Sequence, residues 1–149
     1  MVTIDLGCGN NKASRYFKGV DQKSNPQVDY VLDAENLIGI ADLSVNAVYT
    51  ERMLQHVKND LQALREISRI LTDDGIAVIE VASTLNARLS KTLNFLGIKR
   101  YSYTTFHVYT RKNLSQKIKM ANLKILSYGR VPTHFGMYNH LFVVTKSKE

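Results

Sequence analysis

The strongest constraint on this chain is a junction near its start. The apolar run Val2-Thr3-Ile4-Asp5-Leu6 passes directly into a glycine loop, Gly7-Cys8-Gly9-Asn10-Asn11-Lys12. Two more short runs follow, Gly19-Val20-Asp21 and Tyr30-Val31-Leu32-Asp33, and each again ends on a carboxylate. A short apolar run that leads into glycine reads as a buried strand entering a tight turn, because glycine takes positive φ without steric cost. Carboxylates at the ends of successive parallel strands line one rim of a sheet, the place where open α/β folds bind ligands.

The alternation continues along the chain. Residues 45–50 read as a fourth strand. Asn59 or Asp60 caps the next helix, with Leu61, Leu64, Ile67 and Leu71 inward and Arg65, Glu66 and Arg69 outward. Asp73-Asp74-Gly75 marks a turn, and residues 76–81 form an almost unbroken apolar strand of the kind covered on both faces. Leu85, Leu89, Leu93 and Leu96 mark a helix that stops near Gly97, and Thr110 caps another over residues 111–122. Residues 7–17 are too few for a long crossover helix and give a short turn or helix. The last two strands, 124–128 and 140–145, follow each other without a helix, so at least one runs antiparallel. The expected product is one layered α/β domain over residues 1–149.

No apolar run approaches the ~20 residues that span a bilayer, and no signal-peptide pattern opens the chain. Cys8 is the only cysteine, which excludes an internal disulfide and suits a reducing, cytoplasmic setting. Charge is divided unevenly. Residues 1–75 hold 8 Lys/Arg and 11 Asp/Glu, whereas residues 76–149 hold 12 Lys/Arg and only Glu80 and Glu149. The positive half favours anionic partners.

The loop discriminates among cofactors. A dinucleotide fingerprint wants a third glycine at its sixth position, which here is Lys12, and an acidic residue ~20 positions on, whereas Asp21 comes sooner. No Gly-Lys-Ser/Thr run is present for a nucleotide triphosphate. S-adenosylmethionine makes demands that the pattern meets. Gly7 and Gly9 clear the backbone where its methionine part crosses the first strand. Asp21 offers both oxygens to the ribose diol. Asp33 faces the adenine amino group, with the backbone of Ala34 and Glu35 beside it. Asp5 faces the ammonium group. Cys8 and Gln22 belong to the same expected lining.

These residues, with His56-Val57, the run Leu64-Arg65-Glu66-Ile67-Ser68-Arg69-Ile70-Leu71 followed by Gly75, and Tyr109-Thr110-Arg111-Lys112-Asn113-Leu114, resemble the class I, Rossmann-like S-adenosylmethionine-dependent methyltransferases of type 11, in particular their compact members. The resemblance covers nearly the whole chain. It implies a three-layer α/β/α sandwich around a mostly parallel seven-stranded sheet with an antiparallel final strand. It also implies cofactor contacts from Gly7, Gly9, Asp21 and Asp33, and places Glu51 to Met53 beside the methionine part and the acceptor. Relatives often carry an acidic residue before the histidine, where this chain has Gln55, and many carry helices ahead of the first strand, which here begins at Val2.

Methyl transfer from a sulfonium is an in-line displacement that relies on alignment and on exclusion of water. Where the acceptor loses a proton, histidine is the natural base, and His56 after the fourth strand is the candidate, ahead of His107, His134 and His140. The chain lacks an Asp/Asn-Pro-Pro-Tyr/Phe motif and a Pro-Cys pair, which disfavours methylation of base amines and ring carbons. One Cys and four scattered His give no metal-site spacing. The segment 99–109 interleaves basic and aromatic residues and offers a surface for an anionic acceptor or for RNA bases. The expected acceptor is an anionic small molecule or glycan methylated at O or N. RNA or protein methylation ranks second, and a non-catalytic cofactor-binding partner subunit third.

Overall fold

The computed structural model describes residues 1–97, 104–133 and 136–147. Its strands are β1 (Thr3–Leu6), β2 (Lys18–Asp21), β3 (Tyr30–Val31), β4 (Val45–Glu51), β5 (Leu71–Ala82), β6 (Leu123–Pro132) and β7 (Tyr138–Lys146). Its helices are α1 (Asp60–Ile70), α2 (Thr84–Phe95) and α3 (Arg111–Met120), with a 3-10 turn at Leu54–His56. The strands form one sheet in the order β3-β2-β1-β4-β5-β7-β6. Pairing is parallel from β3 to β5, and β7 lies antiparallel between β5 and β6. Only β7 is reversed, as the resemblance implies. No described helix is long and apolar enough to cross a membrane.

Register explains the core. Ile4, Val48, Ala77 and Val144 are cross-strand partners, as are Ile79 and Phe142, and all are buried on one face. Ala63, Leu64, Ile67 and Ile70 of α1 and Leu114 and Ile118 of α3 close over that face in one apolar cluster. The opposite face carries Ala47, Ile76 and Thr145 in one row and Asp5, Tyr49, Val78 and Val143 in the next. It is less covered. Ile76 is 39% exposed, and Tyr49, Val78 and Val143 are half-buried.

Residues 7–17 form turns, one of the two expected outcomes. Several other elements differ in detail from expectation. Leu71 begins β5 instead of lining α1, because the chain leaves the helix directly into the sheet. Asp73-Asp74-Gly75 lies inside β5 as a wide bulge: Val45 pairs with Leu71, and the next pair is Ala47 with Ile76. Asn59 is the N-cap, its side chain accepting from the Gln62 N–H at 3.0 Å. Glu66 faces inward and is buried, held by the Leu37 N–H at 2.7 Å and by Arg69 at 2.8 Å. Arg69 also donates to the Leu37 and Ile40 carbonyls. That cluster ties the loop after β3 to α1. Of the leucines expected to line α2, Leu85 and, just beyond the helix, Leu96 are each 60% exposed. The excursion that contains α2 leaves the sheet at Ser83 and returns at Tyr109, and the two residues bridge.

Candidate active site

The carboxyl ends of β1, β2, β4 and β5 share one rim, and the glycine loop folds over it. Gly7 takes φ +78° and donates to the Val20 carbonyl at 2.7 Å. A Cβ on Gly7 would sit 2.4 Å from Met53 Cγ, so this position requires glycine for its angle and for its space. Gly9 takes φ +53°, and a Cβ there would meet nothing within 4 Å. Gly7 therefore serves packing against Met53, while Gly9 borders open space at the rim.

Asp21 lies at the centre of this region. Its Oδ2 accepts from the Gly9 N–H at 3.0 Å and its Oδ1 from the Lys23 N–H at 2.9 Å. The carboxylate is oriented by the backbone, and each oxygen keeps a lone pair for a further donor. Gln22 beside it is exposed. Asp5 is 3% exposed, and its Oδ2 accepts from the Ala13 N–H at 2.6 Å. Burial raises its pKa against the pull of that bond, and the nearby Glu51 charge raises it further. Asp5 thus closes the glycine loop from beneath.

The neighbouring Asp29 ties the loop down. It accepts from the Gly19 N–H at 2.8 Å and pairs with Lys12 at 3.0 Å and Lys18 at 3.4 Å. The Gly19 and Lys12 bonds bring its carboxyl down to about 2. Cys8 is buried, and burial followed by the charges of Asp5 and Asp21 pushes its thiol up to about 11. It is no nucleophile at neutral pH.

On the β3 side, Asp33 Oδ1 accepts from the Glu35 N–H at 2.9 Å, and Ala34 is buried. The Glu35 side chain turns away to accept from the Lys58 and Asn59 N–H groups at 2.7 and 3.1 Å, at the entry to α1. On the β4 side, Tyr49 Oη donates to Glu51 at 3.2 Å, and Arg52 pairs with Glu51 at 3.0 Å. Burial and the charges of Glu51 and Glu80 push the Tyr49 hydroxyl up to about 12. Arg52 takes φ +54°, a strained angle for a side chain of its size, with its N–H on the Glu80 carbonyl at 2.7 Å. The reversal at Arg52 is what lays Met53 across Gly7.

His56 Nδ1 lies 3.0 Å from the Thr104 carbonyl, which only accepts, so Nδ1 carries the proton. Its Nε2 lies 3.4 Å from the Gln55 side-chain nitrogen, a donor. Gln55 knits the region together. Its Oε1 accepts from the Ala82 N–H at 3.1 Å, and its carbonyl accepts from Phe106 at 2.9 Å and His107 at 3.3 Å. Residues 104–107 are thereby strapped beside the rim. His107 bonds the Lys58 carbonyl at 3.1 Å, and His140 is buried against Tyr128 Oη at 2.9 Å. Both are committed to packing. His134 and residues 98–103 lie outside the described residues.

Sequence reasoning gave no role to Asp29 or Gln55. It placed Arg52 beside the methionine part only as the resemblance implies, with no signal of its left-handed backbone. The residues present fit an adenosyl sulfonium. A Cβ on Gly9 would meet open space, and an oriented carboxylate stands beside the Gly9 backbone.

Glycine loop, acidic strand ends and strand order together define a Rossmann-like fold of the class that binds nucleoside cofactors at this rim. A family model described as a methyltransferase domain matches residues 4–79. The chain belongs to that family, the class I methyltransferases whose methyl donor is S-adenosylmethionine. Solved structures of similar fold include the 1,6-didemethyltoxoflavin-N1-methyltransferase of Burkholderia thailandensis, bound to 1,6-didemethyltoxoflavin and S-adenosylhomocysteine. It is 17% identical with TM-score 0.73, over 99% of this chain and 71% of that one. An S-adenosylmethionine-dependent methyltransferase from Methanosarcina mazei is 15% identical with TM-score 0.73, over 99% and 92%. A Haloferax volcanii methyltransferase, solved in complex with the activator Trm112, is 15% identical with TM-score 0.70, over 99% and 83%. No curated protein matches the chain in sequence.

Proposed function

We propose that this protein transfers a methyl group from S-adenosylmethionine to an oxygen or nitrogen of an anionic acceptor. The observation that carries the reading is the Gly9–Asp21 arrangement, in which a side-chain-free backbone and an oriented carboxylate share one open rim. When bound, the cofactor supplies an electrophilic methyl on a positively charged sulfur. The chain's part is to hold and align. Asp21 grips the ribose diol, Asp33 with the backbone of Ala34 and Glu35 meets the adenine, and Gly7, Gly9 and Cys8 give the methionine part its path. Asp5, Glu51 and Met53 border that path, and Gln22 flanks the sugar. The acidic surroundings of Glu51 and Asp5 suit a cofactor bearing an ammonium and a sulfonium.

His56 is the proposed proton acceptor. The Thr104 carbonyl holds the proton on Nδ1, which leaves Nε2 as the basic nitrogen. With a true acceptor in hand, His56→Ala lowers kcat by about 10²-fold or more and leaves KM within a few-fold. Full activity of that variant removes the role. We assign the protein to the cytoplasm, a setting that the buried free thiol of Cys8 suits.

Calorimetry with S-adenosylhomocysteine tests the binding reading. Asp21→Ala weakens affinity by more than about tenfold, the cost of two hydrogen bonds to a charged group. An affinity unchanged within twofold refutes Asp21 as the ribose residue. No measurable binding by the folded wild-type protein ends the methyltransferase reading.

A further inference from the structure

We propose that α3 and the edge strand β6 form a track for single-stranded nucleic acid that leads to the methyl-transfer rim. The inference rests on the proposed function and names its acceptor class. Three observations converge. First, a groove between α3 and β6 is lined by Arg111, Ser115, Lys119 and Lys124, with Leu123 and Ile125 at its floor. It lies away from the glycine loop, and its cations belong to no part of the cofactor site.

Second, two guanidinium groups lie over tyrosine rings in the same region. Arg111 sits 4.4 Å above the Tyr128 ring and Arg130 sits 4.5 Å above the Tyr138 ring. Tyr128 is anchored by His140 at 2.9 Å and packs on Phe142 with ring centroids 5.0 Å apart. Both arginines are exposed, and Arg130 is further held by a hydrogen bond with Tyr128, so each guanidinium is anchored while N–H groups and a face remain for other partners. The N–H groups suit phosphate oxygens and the face suits a base.

Third, no described carboxylate neutralises these cations. No acidic residue occurs between Glu80 and Glu149, and among the described residues Arg111, Lys119, Lys124 and Arg130 form no ion pair with a carboxylate.

The geometry gives the track a direction. Because β6 runs parallel to β5, Lys124 lies at the far edge of the sheet and Arg130 near the carboxyl rim. The six residue steps from Lys124 to Arg130 span about 20 Å. Arg130 pairs with His140, which pairs with Val81, so the track ends two strands from the carboxyl end of β5, about 10 Å across the sheet. A small anion would need one closed pocket. An open row of cations with two stacking platforms matches a linear polyanion that carries flat bases.

The test is fluorescence anisotropy with labelled twelve-residue oligouridylate and oligothymidylate, from 50 to 200 mM salt. The variants are Arg111→Gln/Arg130→Gln and Arg111→Lys/Arg130→Lys. Three phosphate contacts give the wild type a slope of about −2 in log K against log salt, at ~0.7 per contact on a single strand. The glutamine pair lowers affinity at least tenfold and brings the slope to about −0.7. The lysine pair, which keeps charge and loses the planar stack, falls in between. Tighter binding of one oligomer names RNA or DNA as the source.

Calorimetry with S-adenosylhomocysteine on the glutamine variant gives the wild-type affinity, which separates failure of the track from failure of the cofactor site. The proposal is overturned if neither oligomer binds, if the glutamine variant binds them as the wild type does, if the lysine variant matches the wild type, or if a polyglutamate peptide of equal charge binds as tightly.

Discussion

At the residue scale, the two loop glycines do different jobs and predict different outcomes. Gly7→Ala meets Met53 as well as a left-handed backbone angle. Strain of about 1–2 kcal/mol and overpacking of about 1–3 kcal/mol add, so urea unfolding shows a loss of about 2–5 kcal/mol. Gly9→Ala meets only the angle and loses about 1–2 kcal/mol, while S-adenosylhomocysteine affinity falls more than stability does. Thr50 is fully buried on β4, and its hydroxyl finds no partner among the described residues. Thr50→Val therefore raises stability by about 1 kcal/mol, read as a higher denaturation midpoint. A lower midpoint for that variant contradicts the assignment.

At the element scale, the cofactor rim depends on carboxylates that staple loops. Asp29 joins the glycine loop, β2 and the residues before β3 through Gly19, Lys12 and Lys18. Its carboxyl titrates near 3.8 in the unfolded chain and at about 2 in the folded one. The folded state thus favours the ionised form. The contribution is complete above about pH 4 and is lost as pH falls through about 2. Solvent screening holds it to about 1 kcal/mol or less. Asp29→Asn flattens the acid limb of a stability–pH curve over that window, and an unchanged limb shows that Asp29 contributes nothing there.

Glu66 behaves the same way where α1 meets the loop after β3, its pKa lowered chiefly by Arg69. Its burial follows from the loop after β3, whose Leu37 N–H needs an acceptor. Helical periodicity put Glu66 on the outer face because periodicity registers a helix's own apolar stripe and not a loop that lies against its flank. The same blindness applies to Asp73-Asp74-Gly75, where a turn signal marked a bulge inside a strand.

At the scale of the whole molecule, helical cover is uneven. Ile79 and Ile76 lie three residues apart on β5, yet Ile79 is fully buried beneath the α1 and α3 layer and Ile76 is 39% exposed on the other face. Ile79→Ala costs about 3–4 kcal/mol and Ile76→Ala about 1 kcal/mol or less by urea unfolding. Equal losses contradict the open face. Charge divides on the same scale, with Asp5, Asp21, Asp29, Asp33 and Glu51 around the cofactor rim and Arg111, Lys119, Lys124 and Arg130 along α3 and β6.

Strand positions, the glycine loop and the acidic rim were legible because each depends on neighbours in the chain. Apolar runs make strands, positive φ selects glycine, and carboxylates at strand ends follow from where the strands stop. The bond from Gly9 to Asp21 was implicit in two short motifs that parallel pairing of β1 and β2 brings together. Other features depended on groups far apart in sequence. Gln55 meets Ala82 and Phe106, Thr104 fixes the tautomer of His56, and Arg111 comes to lie on Tyr128. Such contacts leave no periodic trace, because burial and hydrogen bonding between distant segments are decided only when the sheet has brought them side by side.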